Sequence, residues 1–207
     1  MNNPWEDISL EVYEDHMSLE SVRQLQALDS VMHEQFEAYP VTTAIVLGIA
    51  GGNGLEHVRQ DKYQTVYGID INKDYLEAVQ ERYLDLSDIL KCLRIDLAIE
   101  TEKLPHSELI IANLLIEYIG YDAFCKAVEK VDPKYVSCVI QTNEDNKNWV
   151  SDSPYIHAFD KLDEIHHQID ELSLVTVMEG IGYSKILKIE MPLPNGKSFI
   201  RLDFSKK

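Results

Sequence analysis

The sequence predicts an α/β domain of three layers, with helices on both faces of a mostly parallel sheet. Three observations predict it. Five apolar runs recur along the chain, and four of them are near-continuously apolar rather than alternating, as strands buried on both faces are. Segments with helical spacing alternate with those runs, so right-handed crossovers follow. The first run, Ala44-Ile45-Val46-Leu47, breaks directly into the turn Gly48-Ile49-Ala50-Gly51-Gly52-Asn53-Gly54.

Taken in order, residues 1–40 form an N-terminal helical arm. Trp5 to Met17 is polar and aromatic. Leu19, Val22, Leu25, Leu28, Met32 and Phe36 then predict one helix from Ser18, its N-cap, to Tyr39, where Pro40 stops it. The arm precedes the first strand, so it is an addition that serves either as a lid or as an outer helix. Residues 41–207 make the main domain. After the glycine turn, Leu55 to Gln60 is read as helical. Val66-Tyr67-Gly68-Ile69 ends in Asp70, and Asn72 or Asp74 caps a helix bearing Leu76, Val79, Tyr83 and Leu86. Ile89 to Ile95 ends in Asp96, and Leu109 to Ala112 ends in Asn113. Asp122 is expected to cap the next helix, and Tyr135 to Ile140 is the fifth strand. An insertion, 143–170, is placed near a substrate pocket; it is irregular to His157, and helical spacing returns with Phe159, Leu162, Ile165 and Ile169. A helix through Leu172, Val175 and Met178 ends at Gly180 and Gly182. A closing hairpin then turns at Asn195-Gly196.

Strand, glycine turn, helix, strand and acid form the half-unit that binds an adenosine-bearing cofactor. Asp70 stands near the ~20-residue spacing of a ribose-binding acid, and its carboxylate can accept both ribose hydroxyl protons. The glycine turn, Asp70, Asp96 and Asn113 each follow a predicted strand. All would therefore lie on one carboxyl edge of the sheet, where such folds bind ligands.

The 207 residues suffice for a sizeable core without staples. Acids outnumber bases 36 to 19, a formal charge of −17 that repels phosphate backbones and argues against a nucleic-acid partner. No apolar run approaches the ~20 residues of a membrane span, and the acidic start lacks a basic n-region, so a cytoplasmic protein without membrane attachment is expected. Cys92, Cys125 and Cys138 fit neither a disulfide framework nor a metal motif and are read as buried free thiols. His166 and His167 are adjacent, ~100° apart on a helix, and are read as solvent-facing; no metal is expected.

The order of elements, the strand-end acids and the closing hairpin resemble the class I S-adenosylmethionine-dependent methyltransferases over roughly residues 43–204. The resemblance implies a Rossmann-like sheet of order 3-2-1-4-5-7-6 with an antiparallel C-terminal strand. It implies S-adenosylmethionine as cofactor, held by Gly48, Ala50, Gly52, Gly54, Asp70, Ile71, Asp96, Leu97 and Asn113. Asp70 would bind the ribose, Ile71 would lie beside the adenine, Asp96 would meet its exocyclic amine, and Leu97 would supply its backbone N–H. Asn113 would face the methionine end. Two departures stand out: Gly48 replaces an acid that orients that end, and Ala50 replaces the first glycine. The segment 113–118 is not the Asn/Asp-Pro-Pro-aromatic motif of enzymes acting on amide or nucleobase nitrogen.

The resemblance implies transfer of a methyl group to a small-molecule acceptor. A protein acceptor is the second choice. A cofactor-binding protein without turnover is the non-enzyme rival. An NAD(P)-dependent oxidoreductase is the enzyme rival, though neither Gly48 nor Gly52 starts a good Gly-x-Gly-x-x-Gly register. His16, His157 and Glu117 are candidate bases, Tyr13, Tyr118 and Tyr155 candidate substrate contacts. A homodimer is left open.

Overall fold

The computed structural model describes residues 3–143 and 149–207. Strands β1 (Thr43–Leu47), β2 (Thr65–Asp70), β3 (Leu90–Arg94), β4 (Leu109–Asn113), β5 (Tyr135–Asn143), β6 (Tyr183–Pro192) and β7 (Lys197–Lys206) form one sheet. Its order is β3-β2-β1-β4-β5-β7-β6. The first five are parallel, and β7 runs antiparallel between β5 and β6. The expected order and the inserted last strand are both present.

Both sheet faces are covered, which is why the strands read as apolar throughout. Along β1, Ala44 and Val46 join the cluster beneath helices α2 (Gln24–Glu37) and α3 (Lys73–Arg82). Ile45 and Leu47 join the opposite cluster with Phe124 and Val128 of α4 (Ile116–Val131) and Leu174 and Met178 of α5 (Glu171–Gly180). Asn72 is the cap of α3: its Oδ1 accepts the N–H groups of Asp74 at 3.0 Å and Tyr75 at 3.4 Å.

Four local expectations need correction. The helix expected from Ser18 to Tyr39 begins only at Gln24, as α2: Ser18 instead ends an earlier helix, α1 (Leu10–Ser18), and a turn with Arg23 left-handed at φ +50° separates the two. Ser9, not Ser18, caps the first. The apolar spacing reads across the break because Val22, in the turn, is fully buried too. Second, residues 55–60 make only a 3-10 turn at Leu55–His57. The face that a crossover helix would cover is taken by α2, whose Met32 side chain sits where Gly54 would carry a Cβ. Third, α4 starts at Ile116 rather than behind Asp122, and Gly120 interrupts it at φ 72°, ψ 171°. Left-handed Leu114 (φ +53°) turns the chain from β4 straight into the helix, which brings Glu117 into its first turn. Fourth, Phe159 and Leu162 bury from a 3-10 segment, Ile156–Glu164, not an α-helix. Of the insertion expected over 143–170, residues 144–148 lie outside the described residues.

Among the described residues no helix is long and apolar enough to cross a membrane. The three cysteines are free; Cys138 is buried, while Cys92 and Cys125 are half-buried.

Candidate active site

One cavity opens along the carboxyl edge of β1, β2, β3, β4 and β5. Gly48 and Ala50 reach it from β1, Asp70 and Ile71 from β2, Asp96 and Leu97 from β3, Asn113 from β4 and Gln141 from β5. The first turn of α4 adds Glu117 and Tyr118, and the arm lies across the opening with Trp5, Tyr13 and His16. Asn72 fixes the arm there, donating from Nδ2 to the carbonyls of Trp5 at 3.0 Å and Ile8 at 3.3 Å. A single side chain thus caps α3 and tethers the arm.

Asp70 is buried at the tip of β2. Its Oδ2 accepts the Ala50 N–H and its Oδ1 the Asn72 N–H, each at 2.9 Å. Burial raises its pKa to about 6, against the lowering effect of those N–H groups. The carboxylate lines the cavity and has acceptor capacity beyond these two bonds. Asp96 accepts the Ala98 N–H at 2.9 Å. Asn113 contributes differently from the expectation. Its side-chain amide is exchanged with Gln35 of α2, Nε2 to Oδ1 at 2.9 Å and Nδ2 to Oε1 at 2.8 Å, so that side chain is already partnered by α2.

Gly48 is left-handed at φ +71°, and a Cβ there would stand 3.1 Å from Leu115 Cδ1. The backbone therefore disfavours the acid that the resemblance leads one to look for at this position. Gly52 and Gly54 do not line the cavity. A Cβ on Gly52 would stand 2.8 Å from Tyr83 Cε2, and Gly54 abuts Met32, so both glycines allow close packing behind the loop. Ala50 and Leu114, both left-handed without being glycine, face the cavity; strain of this kind, of order 1–3 kcal/mol each, gathers at binding sites.

The candidate bases and contacts separate clearly. His16 is buried in the cavity wall, its Nδ1 2.7 Å from Ser153 Oγ and its ring 4.7 Å from that of Phe159. Burial lowers its pKa to about 4, so it is neutral at pH 7. His157 is exposed beside Asp160 and lies outside the cavity wall. Tyr13 and Tyr118 line the cavity and Tyr155 does not. Glu117 is 5% exposed; its Oε1 accepts the Gln141 N–H at 2.8 Å and its Oε2 has no partner. Burial raises its pKa to about 7.

His166 corrects an expectation. It lines the cavity, stacked on Trp149 at 4.1 Å with the planes 16° apart. Residues 166–170 are not helical, so adjacent histidines need not share one solvent face; His167 is the exposed one. Tyr75 is the residue that sequence reasoning passed over. It is 2% exposed, lines the cavity, and its hydroxyl has no partner. Its spacing on α3 reads as ordinary core, and only the fold sets it beside Asp70 and Tyr13. Away from the cavity, Asp29, Glu56 and His57 bring oxygen and nitrogen atoms within 4.8 Å of one another. His57 Nε2 lies 2.9 Å from Asp29 Oδ1, a His–carboxylate pair that accounts for the grouping.

A scan of protein-family models and a search of curated protein sequences return no match. Solved structures do match over nearly the whole chain. The [4+2]-cyclase SpnF aligns with a TM-score of 0.72 at 9% identity, over 99% of this chain and 95% of that one. The N-methyltransferase NodS from Bradyrhizobium japonicum WM9, in complex with S-adenosyl-L-homocysteine, gives 0.66 at 10% identity over 99% of each chain. Magnesium protoporphyrin IX methyltransferase from Synechocystis PCC 6803, with bound SAH, gives 0.65 at 12% identity over 88% and 83%.

The chain has the fold of the class I S-adenosylmethionine-dependent methyltransferases.

The arm and the insertion both wall the cavity. The [4+2]-cyclase SpnF shares this fold, so the fold alone does not set the chemistry. Two observations bear on an adenosyl cofactor. A buried, partnerless Tyr75 hydroxyl lies on the same side as the Asp70 carboxyl, a pairing suited to a sugar and base. The lining carries Asp70, Asp96 and Glu117 and, among the described residues, no lysine or arginine, a balance suited to a sulfonium cation.

Proposed function

We propose that this protein binds S-adenosylmethionine and transfers its methyl group to a small-molecule acceptor. The observation that carries the reading is convergence: the ends of β1, β2, β3 and β4 bring Gly48, Ala50, Asp70, Ile71, Asp96, Leu97 and Asn113 to one cavity. In this reading Asp70 and Tyr75 hold the ribose, and Ile71, Asp96 and the Leu97 N–H hold the adenine. The Gly48–Ala50 backbone passes the methionine end. The bound cofactor supplies an electrophilic methyl group on sulfur. Displacement there is in-line, so the chain's own task is to position the acceptor and exclude water. Trp5, Tyr13 and His16 close the arm side, and Tyr118, Trp149 and His166 the insertion side. An acidic cavity crossed by the arm favours a small acceptor over a protein segment.

Thermal unfolding with S-adenosylhomocysteine against NADH tests the reading, since a ligand at 100 times its Kd adds ~2.7 kcal/mol of stability. Stabilisation by the first and not the second is expected; the reverse would restore the dehydrogenase alternative. A second reading is favoured by Gly48 in place of the usual acid: a cofactor-binding protein that does not turn over. Release of S-adenosylhomocysteine during incubation with an acceptor separates the two.

A further inference from the structure

Past β4 the same cavity continues to the β5 side of the sheet, where Gln141 lines it. Glu117 belongs to that end, because its Oε1 is held by the Gln141 N–H of β5, while the groups assigned to the ribose and the adenine sit on β2 and β3, on the other side of β1 and β4. Its Oε2 is buried, partnerless and at the cavity wall. A buried carboxyl oxygen without a partner is costly unless a ligand supplies one. Aromatic side chains line the same cavity. Trp149 stacks on His166, Tyr118 lies edge-on to Trp149 with ring centres 6.0 Å apart, and Trp5 lies edge-on to Tyr118 at 4.9 Å. Lys197, the buried cation of β7, is turned onto the carbonyl of Trp149. A partnerless carboxyl oxygen and aromatic rings lining one cavity match an organic ammonium, which takes a charge-assisted hydrogen bond and ring faces together. A carboxylate acceptor would meet Glu117 as a like charge, and a simple alcohol is too weak an acid to yield its proton to a carboxylate.

Resting on the methyl-transfer reading above, we propose that the acceptor is a small amine, held and deprotonated by Glu117 Oε2 and methylated on nitrogen. The ammonium passes one proton to the Glu117 carboxylate and leaves a neutral amine. The nitrogen lone pair then forms the N–C bond as the C–S bond breaks, its electron pair going to sulfur. The products are a methylated ammonium and a neutral thioether, and the proton on Glu117 leaves to solvent as they exchange.

Benzylamine, benzyl alcohol and benzoate form a size-matched set of probes. Each is titrated calorimetrically into the protein saturated with S-adenosylhomocysteine, then incubated with S-adenosylmethionine and the product weighed by mass spectrometry. Benzylamine is expected to bind and gain a methyl group, and the other two to do neither. Glu117→Gln should weaken benzylamine binding about 30-fold or more, the effect of removing one partner of a buried charge pair. The same variant should leave the Kd for S-adenosylhomocysteine within about twofold, as independent sites do. Preference for the alcohol or the acid, or wild-type benzylamine binding by Glu117→Gln, overturns the proposal. If S-adenosylhomocysteine binds and no probe does, the amine assignment falls and the cofactor reading stands. If S-adenosylhomocysteine itself does not bind, the cofactor reading falls first.

Discussion

Asp70 Oδ2 accepts the backbone N–H of Ala50 at 2.9 Å, so the acid at the tip of β2 holds the glycine loop that leaves β1. Ala50 is left-handed at φ +46°, and this bond helps keep it so. The same carboxylate is thus both a loop anchor and the proposed ribose ligand. Asp70→Ala should weaken S-adenosylhomocysteine binding by about 1.5–3 kcal/mol, the range for hydrogen bonds to a charged group. Isothermal titration checks it, and unchanged affinity would reject the ribose placement.

Gly48→Asp restores the acid that this fold usually carries, and it should do harm. The position is left-handed, and a Cβ there lies 3.1 Å from Leu115 Cδ1. A loss of about 1–2 kcal/mol in a urea melt is expected from the backbone alone. Tighter cofactor binding by this variant would show that the loop can re-form around an acid.

Glu117 makes the ligand-free protein pH-sensitive. Its folded pKa, about 7, lies above its ordinary value of 4.5 because burial disfavours the charge. The stability linked to it is therefore full below pH 4.5 and lost as pH rises through 7. Tyr13 and His16 of α1, Tyr118 of α4 and His166 share the cavity with it. Burial leaves both tyrosines uncharged, His16 neutral above pH 4, and the His166 pKa lowered, so none of them supplies a fixed cation at pH 8. Glu117→Gln should be more stable than wild type at pH 8, on the order of 2–3 kcal/mol, and equal to it near pH 4.5. Thermal unfolding at the two pH values checks it; an equal difference at both would assign the effect to packing.

A buried polar network ties α2 to the sheet. Arg201 donates to Asp203 through Nε at 2.9 Å and Nη2 at 2.6 Å, and through Nη1 to Glu34 at 3.0 Å. Ser137 joins Asp203 to Gln35, which holds the Asn113 amide. Arg201 and Asp203 are essentially fully buried, while Glu34 is largely exposed. Asp203→Ala should cost about 3–5 kcal/mol by leaving the buried Nε and Nη2 of Arg201 without their partner. Glu34→Gln, at the wet end, should cost about 1 kcal/mol or less. Similar losses in denaturant melts would mean that burial does not grade this network.

The sequence by itself determined the sheet. Continuous apolar runs become strands buried on both faces, and the acids and glycines at their ends fall on one edge because parallel crossovers leave all carboxyl ends together. That is legible because strand period and turn chemistry are local. What surrounds the edge was decided only by the tertiary structure. The break after Ser18, Met32 in place of a crossover helix, Tyr75 and His166 at the cavity, and the capture of the Asn113 amide by Gln35 each depend on contacts between residues far apart in the chain. Apolar spacing records that a side chain is buried. It cannot record whether the burial is against core atoms or against a cavity, and that difference decides which residues here are placed to meet a ligand.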